Sequence, residues 1–211
     1  NIELFCAPKI LDMNRKGLDL LDDGRVESAS AKLEAPFLLE DFPAVPTAAP
    51  ELKGRVGIWI HEDDLSPETS PLSEVDPVAI GVTNAFDIWE HEAYSPLRML
   101  RIRQSISDTA RRAHQWWETP VDMLSAGVLA DQVTTWAKVN RLNHVVFLHP
   151  FTGPMCDAIG LVELGLINSG IEPVRVMRPL DAQILPSAKS GFFPFWKQAR
   201  SKLASLASVD S

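Results

Sequence analysis

The segment from His149 to Pro154 (HPFTGP) has the residue types and order of a ligand-binding turn. It leaves a continuously apolar run, Asn143 to His149 (NHVVFLH), and leads into a stretch with helical spacing. In open α/β sheets ligands gather outside the carboxyl ends of the strands, where a helix start offers unpaired N–H groups and partial positive charge. His149 and Thr152 carry hydrogen-bonding groups, and Gly153 lets a ligand approach the backbone closely. The same residues also fit a plain helix start, with Thr152 or Gly153 as cap, Pro154 in the first turn and His149 bonded to a nearby carbonyl. No GxGxxG and no GxxxxGK[ST] occurs, so neither a dinucleotide fingerprint nor a P-loop is written here.

Charge is unevenly distributed. From Trp59 to Glu92 nine acidic residues (Glu62, Asp63, Asp64, Glu68, Glu74, Asp76, Asp87, Glu90 and Glu92) meet no Lys or Arg. With His61 and His91 among them they include oxygen and imidazole ligand types, yet the spacing matches no defined metal loop, and solvated acidic loops account for them. Arg98, Arg101, Arg103, Arg111 and Arg112 cluster further on, and Lys189, Lys197, Arg200 and Lys202 surround Phe192, Phe193, Phe195 and Trp196. Basic and aromatic groups together suit single-stranded nucleic acid, but such aromatics more commonly anchor a terminal helix on a core. Cys6 and Cys156 lack CxxC spacing, which predicts reduced thiols, with Cys156 buried. There is no GxSxG elbow, so a self-contained serine hydrolase is disfavoured, and no residue is assigned a catalytic role.

These groups need a scaffold, and the apolar periodicity supplies one. Strands are predicted over Arg55–His61 (RVGIWIH), Pro77–Thr83 (PVAIGVT), Val121–Leu124, Asn143–His149 and Glu172–Met177, with the fourth in mid-sheet because its centre is apolar on both faces. Helices are predicted over Ser95–His114, Val128–Asn140, Gly153–Gly170 and Phe195–Leu206, with Leu97, Leu100, Ile106, Ala110 and Ala113 as the buried face of the first. The alternation specifies a doubly wound, mainly parallel five-stranded α/β sheet, Rossmann-like, with helices on both faces. Residues 1–34 form an N-terminal extension with a short helix around Lys9 to Leu21. Pro36, Pro43, Pro46 and Pro50 make residues 35–53 a linker, leaving 54–211 as the α/β domain.

A net charge of −8 over 211 residues opposes whole-surface attraction to nucleic acid or anionic membrane. No run reaches the roughly 18–20 apolar residues of a bilayer span, and no signal peptide is visible, so a soluble, cytoplasmic protein is expected. Asn1 opens the sequence abruptly, as expected of a piece of a longer chain.

In this order the elements resemble the α/β module of the DNA photolyase and cryptochrome family. Val56–Leu65 (VGIWIHEDDL) resembles the family's first strand and its exit, Pro77–Val82 the second strand, Ser95–Ala113 the following helix, and Pro120–Gly127 (PVDMLSAG) a short strand ending in glycine. Asn143–Asp157 resembles the central strand with its ligand-side loop, Ile171–Pro186 (IEPVRVMRPLDAQILP) the last strand, and Lys189–Trp196 (KSGFFPFW) the closing segment. The likeness covers about residues 54–200. Where family members carry arginines after the first strand, this chain has His61, Glu62, Asp63 and Asp64.

The resemblance implies an antenna-type module of a photolyase-like lyase. His149, Phe151, Thr152 and Gly153, with Glu62 and Asp63 across a crevice, would line a pocket for folate, deazaflavin or flavin. FAD and the light-driven repair chemistry would belong to a helical partner domain of the same longer chain, whose tail residues 1–34 would be. DNA would be met only by the full-length protein. A ligand-free docking domain and a nucleotide-binding α/β protein are the alternatives.

Overall fold

Runs of β-branched and aromatic residues fold as five strands: β1 (Val56–Ile60), β2 (Ala79–Thr83), β3 (Val121–Leu124), β4 (His144–Leu148) and β5 (Glu172–Val176). The computed structural model describes residues 44–83, 95–125, 127–151, 153–188 and 191–207. All four strand pairings are parallel and the order is β3-β2-β1-β4-β5. The doubly wound sheet expected from the sequence is thus present and wholly parallel. β1, rather than the expected β4, is the central strand, while β4 lies between β1 and β5. The chain winds outward from β1 to β3, then returns to the other side of β1, so the topological switch point lies between β1 and β4.

Strand alternation divides the core into two layers. On one face Trp59, Val145 and Phe147 pack with Leu129, Val133 and Trp136 of helix α2 (Leu129–Val139) and Met155, Ile159, Val162 and Leu166 of helix α3 (Pro154–Asn168). On the other, Val56, Ile58, Ile60, Ile80, Val82, Val146 and Leu148 pack with Ile106 and Ala113 of helix α1 (Pro96–Trp117) and with Leu72. Trp136 lies so close to the sheet that a Cβ at Gly81 would stand 2.8 Å from its Cε2. Its Nε1 donates to Asp122 at 3.0 Å.

Ser95 caps α1 as the sequence predicts, its Oγ accepting from the Arg98 N–H at 3.3 Å. The helix runs on to Trp117, whose Nε1 donates to the Val75 carbonyl at 3.0 Å. Leu97 and Leu100 are exposed, not buried as expected, because they lie on the far side of the helix from the stripe that meets the core, which runs through Met99, Ile102, Ile106, Thr109 and Ala113. Two short 3-10 turns, Pro67–Thr69 and Pro71–Glu74, and a six-residue helix α4 (Pro179–Ile184) have no counterpart in the sequence reading.

The described residues divide into two compact units, one within Ala44–Ala182 and one that begins at Gln183. Residues 44–53 belong to the first, where Ala49 and Leu52 pack on the core and the Pro46 carbonyl accepts from the Met177 N–H at 2.8 Å. In the second, helix α5 (Phe192–Ala207) begins three residues before the expected Phe195. Its Lys202 donates to the Gln183 carbonyl and to Ser187 Oγ. Residues 1–34, with the expected Lys9–Leu21 helix and Cys6, lie outside the described residues. No helix among the described residues is long and apolar enough to cross a membrane.

Candidate functional site at the β1–β4 crevice

Both histidines at the switch point follow from strand parity. Counting alternate residues places Gly57, Trp59 and His61 on one face, and Val145, Phe147 and His149 on the same face of the neighbouring strand. That face carries α2 and α3, so the two imidazoles stand just beyond the strand ends, on the side where α3 begins. Trp59 packs against Phe147 at 5.0 Å between ring centroids and against His61 at 5.4 Å. Its Nε1 donates to Thr83 Oγ1 at 2.7 Å, anchoring this layer to β2.

His61 is 1% exposed, and its Nε2 lies 2.7 Å from the Leu148 carbonyl oxygen. A carbonyl only accepts, so Nε2 carries the proton and Nδ1 is left as a bare lone pair. That Nδ1 is buried and has no hydrogen-bond partner among the described residues. Burial holds the ring's pKa below its ordinary value, against the pull of the Leu148 bond and of Asp63 and Asp64. An uncharged ring with a bare, buried acceptor costs free energy until a donor meets it.

Neighbouring groups are shifted as well. Desolvation raises the Asp63 carboxyl above its ordinary range, opposed by His61. Burial lowers the pKa of His149, and the nearby Arg175 guanidinium lowers it further. Arg175 of β5 is itself held by the Glu163 carboxylate of α3 through two N–H bonds, which raise its pKa. Burial, then Asp157, raises the Cys156 thiol, making it a poor nucleophile at neutral pH.

Of the sequence-predicted pocket residues, His149 is buried, Phe151 is half-buried and meets it edge-on at 6.1 Å, and Glu62 is half-buried. Asp63 is exposed, beside His61. Gly153 is the N-cap of α3 with φ of 129°, a conformation side chains resist, and makes no side-chain cap bond. A Cβ there would meet open space. Thr152 lies outside the described residues.

Two expectations need correction. The acidic segment is not uniformly solvated: Asp64 is 15% exposed and paired with Arg178 at 2.7 Å, and Glu68 is paired with Arg112. These partners come from α1 and from just beyond β5, which is why the segment itself needs no basic residue. Cys156 is half-buried rather than buried. Asp87, Glu90, His91 and Glu92 lie outside the described residues. Among the described residues no group of three His, Cys, Asp or Glu is arranged to hold a metal.

The sequence reading did not count His61 among the candidate ligand-binding residues, nor Arg175 and Glu163 beside His149. The signal for His61 was available: it is two residues from the strand tryptophan and therefore on the same face. Two shallow grooves lie elsewhere among the described residues. One of about 470 Å³ is lined by Leu65, Ser66, Gln104, Ser105, Asp108, Thr109 and Arg112, and one of about 400 Å³ by five residues of α5. Comparison of the chain with protein-family models, with curated proteins and with solved structures finds no match.

Proposed function

We propose that this chain is an antenna-type module of a photolyase-like flavoprotein, positioning an accessory chromophore at the β1–β4 crevice and leaving bond breaking to a helical flavin-binding domain. The observation that carries this reading is the bare Nδ1 of buried His61 at the sheet's switch point. Folate, deazaflavin and flavin rings each offer N–H donors on an uncharged aromatic body, which matches a neutral acceptor beside which desolvation shifts Asp63 and His149 toward their uncharged forms. Such a group supplies light absorption and energy transfer. The chain's own residues supply binding: His61 accepts a ring N–H, Phe151 gives apolar contact, and Gly153 allows close approach. FAD and DNA belong to the longer protein on this reading.

The test is absorbance of the purified chain, alone and after incubation with folate, deazaflavin or flavin, between about 370 and 450 nm, where protein side chains are dark. Retained absorbance after gel filtration supports the reading. A colourless chain that takes up none of the three rejects it and leaves a ligand-free docking domain.

One observation favours a second reading, a nucleotide-binding protein: α3 starts at Gly153 without a side-chain cap, leaving first-turn N–H groups for a phosphate. ATP or AMP would then raise the melting temperature, and Gly153→Glu would abolish the rise.

A further inference from the structure

The two outer edges of the sheet are finished differently. At β5 the Glu172 N–H donates inward to the Asn143 carbonyl at 2.9 Å, so by alternation Pro173, Arg175 and Met177 turn their backbone groups outward. Pro173 has no N–H to offer, and the Met177 N–H already donates to the Pro46 carbonyl at 2.8 Å. That edge is closed. At β3 the Ile80 N–H donates to the Pro120 carbonyl at 3.2 Å, so Asp122 and Leu124 face β2, while Val121, Met123 and Ser125 present N–H and C=O outward. No described residue bonds to those outward groups, and no Pro or Lys stands at the three positions to guard them. The strand's one charge, Asp122, is taken by Trp136 Nε1. Met123, in register with Val82 and so on the α1 face of the sheet, is 51% exposed.

We propose that β3 pairs antiparallel with β3 of a second copy of this chain, about a two-fold axis through Met123, joining two five-stranded sheets into one. The outward groups fix the register. Centred on Met123, the N–H and C=O of that residue exchange bonds with those of the other copy, Val121 lies opposite Ser125 in both halves, and each outward group of the three finds a partner. Asp122 then lies opposite Leu124. Centred one residue earlier, two Asp122 carboxylates would stand directly opposite each other, which disfavours that register. The edge is self-complementary, because the same axis sets the exposed Met123 side chain against its own copy. Five residues of strand run about 17 Å and the layers stand about 10 Å apart, so the flank of this three-layer unit buries on the order of 500 Å² per copy. About 1,000 Å² in total is the lower bound of a specific interface, which makes the dimer a reversible one in the micromolar range.

The test uses the full 211-residue chain at about 0.15 M salt, where a Debye length of about 8 Å screens the repulsion between copies of net charge −8. Sedimentation velocity between about 1 and about 300 μM should show a reversible monomer–dimer equilibrium. Met123→Lys sets like charges on the axis, and Met123→Pro removes an outward N–H without touching the ladder to β2; each should weaken association about tenfold or more. Under mild oxidation Met123→Cys should give a disulfide that joins two copies at the substituted position, where paired Cα atoms lie about 5.5 Å apart. Ser125→Cys should not, since its two copies stand about 14 Å apart along the strands. The disulfide result, read by peptide mass spectrometry, stands on its own should the Lys or Pro variant not fold. A chain that stays monomeric at the highest concentration, a dimer equally tight in a folded Met123→Lys or Met123→Pro variant, or bridging at Ser125→Cys as ready as at Met123→Cys would each overturn the proposal.

Discussion

The Nε2–H of His61 donates to the carbonyl of Leu148 across the seam between β1 and β4, at 2.7 Å. This bond fixes the ring's tautomer and ties together the two strand ends between which the sheet reverses its winding order. His61 is therefore both a support and an acceptor. His61→Ala leaves the Leu148 carbonyl buried without its donor and opens a cavity, which should cost about 2–4 kcal/mol. Urea unfolding at neutral pH measures this as a lower midpoint with an unchanged slope. No change in midpoint would show that the bond does not support the seam.

The same burial makes stability depend on pH. The folded-state pKa values of His61 and His149 lie below the ordinary 6.5, chiefly through desolvation. As pH falls through 6.5 the unfolded chain protonates these rings first, so stability drops from there until the folded rings protonate too. Asp63 and Asp181 work in the opposite direction, since desolvation raises both above 3.8 and acidification through their folded values relieves that cost. Melting temperature should thus fall between about pH 7.5 and pH 5.5, and fall less steeply in a folded His61→Gln variant. Parallel profiles for the two proteins would remove His61 from the account.

Gly81 is required by the indole it faces. A methyl group there would stand 2.8 and 2.9 Å from two atoms of Trp136. Gly81→Ala should cost about 1–3 kcal/mol, or roughly 3–10 °C in melting temperature for a domain of this size. Because Trp136 is the nearer neighbour, with Leu124 Cδ1 next at 3.1 Å, adding Trp136→Phe should make the double variant more stable than additivity allows. Strict additivity would place the strain elsewhere.

Arg178 holds the loop after β1 in place. Its guanidinium donates to both Asp64 carboxylate oxygens, at 2.7 and 2.8 Å, and to the carbonyls of Ser66 and Thr69. Lysine lacks the planar fork that makes these bonds together. Arg178→Lys should cost about 1–3 kcal/mol and speed hydrogen exchange selectively at the amides of residues 66–70. Uniformly faster exchange across the sheet would indicate global loosening instead.

How much the sequence discloses depends on the range of the interaction. VGIWI, AIGVT and HVVFL are legible as buried strands because burial on two faces needs an unbroken apolar run, and each is buried along almost its whole length. The turns at Pro67 and Pro71 are opaque because proline signals only an interruption, while their fixation comes from Arg112 and Arg178, more than forty and a hundred positions away. Leu97 and Leu100 lie roughly 180° and 120° round the helix from Ile106, so the expected stripe is mis-phased, whereas the one through Met99, Ile102, Ile106, Thr109 and Ala113 keeps strict helical spacing. At the candidate site, the end of β4 and the helix start at Gly153 could be read from the apolar strand and the glycine. The role of His61 could not be read from its acidic neighbours, because it rests on the Leu148 carbonyl 87 positions along the chain.

The central claim is that the His61 acceptor receives a neutral heteroaromatic ring. Its most direct measurement is a flavin, deazaflavin and folate titration of the unmodified chain and of a folded His61→Phe variant, followed by chromophore absorbance and fluorescence. The account predicts saturable binding of at least one of the three by the unmodified chain, weakened about tenfold or more in the variant, as expected for a lost buried hydrogen bond. Equal affinity in both proteins, or no binding in either, would contradict it.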